Sequence, residues 1–256
     1  MGKRILAMGA AAVLAGLSVT VGTAQAEGTD IKIVLPEDLD LLEPCMATRS
    51  NIGRVIFQNV SETLTEYDAR EGGGVLPRLA ETWEQMPDGS WRFHLRQGVT
   101  FSDGSGFDAQ DVKHSFERAL SDKISCETPR YFGGMTVQAN VVDDHTIDFK
   151  ADPVQPILPL LMSMVTIVPE ETPIEFVRDP IGTGPYKVTE WTPGQRIVLT
   201  RRDGYWGAEP KVTSATYLVR SDPAVRAAMV QTGEADLAPS ISLVDATNPA
   251  TDFPYL

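Results

Sequence analysis

Three histidines and two cysteines are the side chains best suited to metal or nucleophilic chemistry, and their spacing does not bring them together. His94, His114 and His145 fall on segments that read as a strand, a helix and a turn. No H-E-x-x-H or C-x-x-C spacing is present to hold a zinc ion. No G-x-S-x-G elbow presents a serine nucleophile, and Gly182-Thr183-Gly184 lacks the third glycine of a dinucleotide loop. Gly72-Gly73-Gly74 is followed by Pro77 and Arg78 rather than by the Lys-Ser/Thr pair of a phosphate cradle, so it reads as a hairpin tip. Trp83, Trp91, Trp191 and Trp206 are spread through hairpins, which suits core packing better than a stacking platform. These observations argue against an enzyme and call for no cofactor and no metal.

The 256 residues are 42% hydrophobic and 22% charged, an ordinary globular composition, and the net charge of −13 repels phosphate backbones, which argues against nucleic-acid binding. Lys3 and Arg4, the apolar run Ile5 to Val21, and Ala24-Gln25-Ala26 read as a secretory leader cleaved after Ala26, which places the chain in the periplasm. No cysteine stands near the cleavage site to take a lipid. In an exported chain Cys45 and Cys126 can pair, or they can remain two separate buried thiols. Bridging them would constrain the unfolded chain by about 4 kcal/mol.

The elements that would position any site are clearest between Leu79 and Leu120. Trp91, Phe93 and Leu95 alternate with Arg92, His94 and Arg96, the period of a half-buried strand, between the turn dipeptides Asp88-Gly89 and Asp103-Gly104. Asp108 as N-cap with Asp111 at N3 predicts a helix carrying Val112, Phe116, Ala119 and Leu120 on one face. Before this stretch, Ile31 to Leu35 reads as a strand stopped by Pro36. Ile52, Val55, Ile56, Val60 and Leu64 recur at helical spacing and predict an amphipathic helix over 51–67. After it, Val137 to Lys150 forms a hairpin turning at Asp143-Asp144, and the run Leu160 to Ile167 is core. Gly182 and Gly184 allow a close backbone approach that a Cβ would block. A second hairpin turns at Pro193-Gly194, and a strand spans 216–219. Asp222-Pro223 opens a helix with Val225, Ala228 and Met229 inward and Gly233 at its end, and Asp236 to Ala238 is a short strand.

The order LAETW, DGSWRFHLRQGVTFSDG and AQDV, followed by DDHTIDF at 143–149, GTGPYKVTEW at 182–191, RDGYWG at 202–207 and GEADLA at 233–238, resembles the family 5 extracellular solute-binding proteins. These are the oligopeptide, dipeptide and nickel-binding receptors of ABC importers. The resemblance implies an α/β fold (mixed α+β): a periplasmic binding protein type II-like lobe with a smaller inserted α+β domain. Lobe I would comprise 27–56 and 170–256, incomplete, the inserted domain 57–169, and the second lobe would be absent, since family members are about twice as long. It implies a monomer that captures a peptide-like small molecule and hands it to the membrane permease. Alternatively, a truncated exported remnant serves only as a structural or interaction domain. LDLLEPCMATRS, at 39–50, resembles the family's cleft-entering loop, with Glu43-Pro44 in place of Asp-Pro. By that resemblance the ligand contacts are Thr48, Arg49 and Ser50 on the crossing loop, Tyr131 on the inserted domain, with Phe132 a second aromatic candidate, and Thr183 by the return strand. Arg49 also reads as a solvated charge.

Overall fold

A computed structural model describes residues 29–70 and 73–247; the leader, cleaved after Ala26 in the sequence reading, lies outside them. In chain order the elements are β1 (Thr29–Leu35), α1 (Ser50–Val55), β2 (Thr65–Tyr67), β3 (Val75–Pro77), β4 (Ala80–Gln85), β5 (Trp91–Leu95), α2 (Ala109–Ala119) and α3 (Pro129–Phe132). They continue with β6 (Thr136–Asp143), β7 (Thr146–Asp152), α4 (Leu158–Leu161), β8 (Tyr186–Thr192), β9 (Arg196–Arg201), β10 (Val212–Val219), α5 (Pro223–Gln231) and α6 (Leu243–Thr247).

Two four-stranded sheets carry the architecture. The first has the order β1-β10-β9-β8 and the second β4-β5-β7-β6, with the β2-β3 hairpin between them in sequence. β1 and β10 are far apart in the chain yet pair in parallel, Ile33 opposite Tyr217; the other pairs in both sheets are antiparallel. The first sheet buries Leu35, Ile197, Leu199 and Tyr217 under the crossing segment, where Leu42, Ile52, Val55 and Ile56 pack. In the second, the alternation of β5 puts Phe93 and Leu95 inward. Phe93 meets Phe149 edge-on at 5.7 Å, and α2 lays Phe116 against Phe149 at 5.1 Å. The α2 start follows its sequence: Asp108 accepts from the Gln110 and Asp111 amides while Asp111 accepts from the Asp108 amide, a reciprocal capping box.

Four elements differ from the sequence reading. The helix expected over 51–67 is only the six residues of α1, after which the chain turns and Thr65–Tyr67 becomes a strand. Gln58 adopts φ 61°, which no α-helix accommodates, and the departure exposes the backbone of Asn59 and Val60 for use elsewhere. A Cβ on Gly182 or Gly184 would run into the carbonyls of Val60 or Asn59, and the Gly184 amide donates to Val60 O at 2.9 Å. On α5, Val225 and Ala228 face solvent while Arg226, Ala227 and Met229 are buried. The Arg226 guanidinium sets that rotation by donating to the carbonyls of Arg220, Ser221 and Ser240. The strand expected at 216–219 begins at Val212, and the one expected at Asp236 to Ala238 is a single bridge from Leu237 to Ile33.

Candidate ligand-binding wall

Buried charge holds the crossing segment to α2 and to the chain around 173–177. Glu43, fully buried, takes two hydrogen bonds from the Arg118 guanidinium of α2 at 2.8 and 3.1 Å and one from the Val177 amide. Arg118 also donates to the carbonyls of Pro173 and Glu175. Cys45, beside Glu43, is disulfide-bonded to Cys126, with the Cα atoms 5.3 Å apart. Arg202, 8% exposed, spends its guanidinium on the carbonyls of Thr183, Gly184, Thr100 and Phe101, and burial lowers its pKa. That network locks the Gly182-Thr183-Gly184 turn to the backbone at Thr100 and Phe101, after β5.

At the centre lies Glu62, 0% exposed. It receives Arg78 Nη2 at 2.7 Å, Thr183 Oγ1 at 2.9 Å, Tyr205 Oη at 2.9 Å and Trp206 Nε1 at 2.7 Å. Four donors around one carboxylate satisfy its acceptor capacity, which is what makes a buried carboxylate tolerable. Tyr205 is pushed above its ordinary pKa, by burial first and then by the charge of Glu62.

This knot takes in Thr183, expected from the resemblance to contact ligand. Its side chain is 0% exposed and its hydroxyl is committed to Glu62, so it supports the wall and does not face solvent. Thr48 and Tyr131, by contrast, line a single cavity of about 530 Å³. Thr48 comes from the crossing loop and Tyr131, 38% exposed, from α3. Phe57 and Gln58 from the turn after α1, Glu66 and Tyr67 from β2, and Ser163 and Met164 after α4 complete the lining with Ala47. Phe132 is buried against Phe116 at 5.4 Å. Arg49 lies elsewhere, exposed, 3.8 Å from Asp40 in a small acidic concavity with Glu37 and Asp38. Ser50 opens α1. A further concavity of about 360 Å³, around Pro44, Asp103 and 168–173, takes none of the expected residues.

The sequence reading missed Phe57, Gln58, Glu66 and Tyr67. Thr63 to Tyr67 is rich in β-branched and aromatic residues, a strand signal that outweighs the continuing apolar period. Among the described residues no group of three or more His, Cys, Asp or Glu is placed to hold a metal ion, and no helix is long and apolar enough to cross a membrane.

Two sheets, a segment crossing between them and a cavity bordered by that segment, β2 and α3 form the fold of a periplasmic binding protein. A peptide-bound periplasmic binding protein from Helicobacter pylori superimposes with a TM-score of 0.75 at 23% identity, over 86% of this chain and 48% of that one. The model of the bacterial extracellular solute-binding proteins, family 5 (middle), matches residues 74–252, and the chain belongs to that family. It is 33% identical over 193 residues to the dipeptide-binding protein of Escherichia coli K12, covering 64% of this chain and 36% of the relative. To the nickel-binding periplasmic protein of the same organism it is 31% identical over 189 residues, 70% of this chain and 35% of the relative. The chain thus spans about a third of the length of these two relatives. The relatives are solute-binding transport proteins rather than enzymes.

Proposed function

We propose that the chain is the ligand-capturing component of an ABC importer, exported to the periplasm with its leader removed after Ala26 and acting there as a monomer. It would take a peptide-like solute into an interlobe cleft and deliver it to the membrane permease. On this reading 27–56 and 170–256 belong to one lobe and 57–169 to the domain inserted into it. The cavity bordered by Thr48 and Tyr131 is the wall against which the solute rests, a concave surface with aromatic sides and a few placed polar groups. The carrying observation is that these two residues, which the sequence resemblance assigned to the ligand, come from separate parts of the chain and meet on one cavity. Capture involves no covalent step; differential affinity of the ligand for the closed arrangement shifts the population towards it.

Titration calorimetry of the purified, leader-free chain against tripeptides tests this. Saturable binding that weakens on Tyr131→Ala is the expected result. No heat at millimolar peptide, from a sample whose far-ultraviolet spectrum shows it folded, would overturn it.

A further inference from the structure

Resting on that reading, we infer that this wall recognises a cationic nitrogen of its ligand, an ammonium or guanidinium group such as a basic side chain carries. The charged and carbonyl side-chain groups of the cavity are acceptors, and its hydroxyls can accept as well as donate. Gln58 sits at φ 61°, a left-handed conformation that a non-glycine residue holds only where its surroundings enforce it. The direction of its amide follows from its neighbours. The single hydroxyl proton of Thr63 goes to the Thr65 carbonyl, so Thr63 Oγ1 accepts from Gln58, and the group facing it at 3.0 Å is Nε2. The other end, Oε1, is therefore the carbonyl oxygen, and it is buried without a hydrogen-bond partner. Thr48 Oγ1, on the same cavity, is likewise buried and unpaired. A donor that inserts between these side chains meets acceptors with no hydrogen bond to surrender.

The charge has one sign. Among the described residues no Lys, Arg or His lines the cavity, and Glu66 does. Glu66 has Arg78 Nη1 at 3.2 Å, but Arg78 holds Glu62 more closely, at 2.7 Å, so the three groups together keep one negative charge. Phe57, Tyr67 and Tyr131 add aromatic faces, whose quadrupoles attract cations, and Met164 adds a polarisable thioether. A carboxylate placed here would face Glu66 and the unpaired Gln58 carbonyl oxygen and find no cation among the described lining residues. The acidic chain, at net charge −13, steers cationic solutes in the same sense.

The test titrates the leader-free chain with three tripeptides that differ only in the middle residue: Ala-Lys-Ala, Ala-Gln-Ala and Ala-Glu-Ala. The lysine peptide is expected to bind about tenfold or more tighter than the glutamate peptide. Glu66→Gln should narrow that ratio to below about threefold. Gln58→Gly, which relieves the left-handed backbone while deleting the carbonyl, should weaken the lysine peptide without lowering the melting temperature; a purely structural Gln58 would do the reverse. Equal affinity for the three peptides, or a ratio untouched by Glu66→Gln, overturns the cation preference and leaves the solute-binding reading standing. Failure of all three to bind overturns both.

Discussion

Glu62 and Gln58 belong to one short stretch of chain, yet their polar atoms are treated in opposite ways. Every lone pair that Glu62 can offer is met by a donor, and the donors come from β3's end, the Gly-Thr-Gly turn and the Tyr205-Trp206 corner. Gln58 and Thr48 each keep a buried oxygen with no partner, at the edge of a cavity. Saturation ties distant segments into one body, whereas an unmet acceptor is a cost to folding that makes sense where a guest supplies the missing donor. Asp111 stands between the two. It accepts from the Asp108 and Glu170 amides but pairs with no cation among the described residues, and burial, ahead of every other influence, pushes its pKa to about 6.

The largest effect should come from emptying the saturated knot. Glu62→Ala leaves the Arg78 charge and three further donors without their acceptor and is expected to cost about 3–5 kcal/mol in urea unfolding. A cost below about 1 kcal/mol would break the distinction drawn here. Asp111 should come next, through pH. Its folded pKa lies above its unfolded value of 3.8, so between them the native state binds more protons, and stability rises as pH falls from about 7 towards 4. The span is at most about 3 kcal/mol, and Asp111→Asn should flatten that part of the melting-temperature profile. Tyr205→Phe removes one of four donors from Glu62 and should cost about 1–2 kcal/mol, smaller because three remain. Smallest of all, Thr48→Val should change stability by less than about 1 kcal/mol in either direction, since no hydrogen bond is lost, while weakening the ligand in calorimetry. A Thr48→Val loss as large as that of Tyr205→Phe would erase the comparison.

What could be read from the sequence follows the same division. Local chemistry was legible: the Asp108–Asp111 box, the alternation of Trp91 to Leu95, the turn at Gly194 and the Asp222-Pro223 helix start all declare themselves within a few residues. The α/β fold and the family were legible because several such pieces recur in order. Elements decided by distant partners were not. Asn59 and Val60 leave the helix to pack against Gly182 and Gly184, far along the chain, and Arg226 turns α5 to reach carbonyls that no helical periodicity records. Thr183 illustrates the limit at the site: a threonine between two glycines carries no mark of whether it faces a ligand or a buried Glu62.

The Cys45–Cys126 bridge has one more consequence. Cys45 lies just upstream of Thr48 and Cys126 just upstream of Tyr131, and the Glu127 amide donates to the Cys45 carbonyl beside it. The covalent link therefore joins two of the strips of chain that border the cavity and fixes their separation; if the cavity takes a solute as proposed, less motion has to be frozen at the moment of encounter. On the proposed reading, receptivity should then depend on the redox state of the surroundings: with the sulfurs reduced, the same folded chain would hold a guest more loosely.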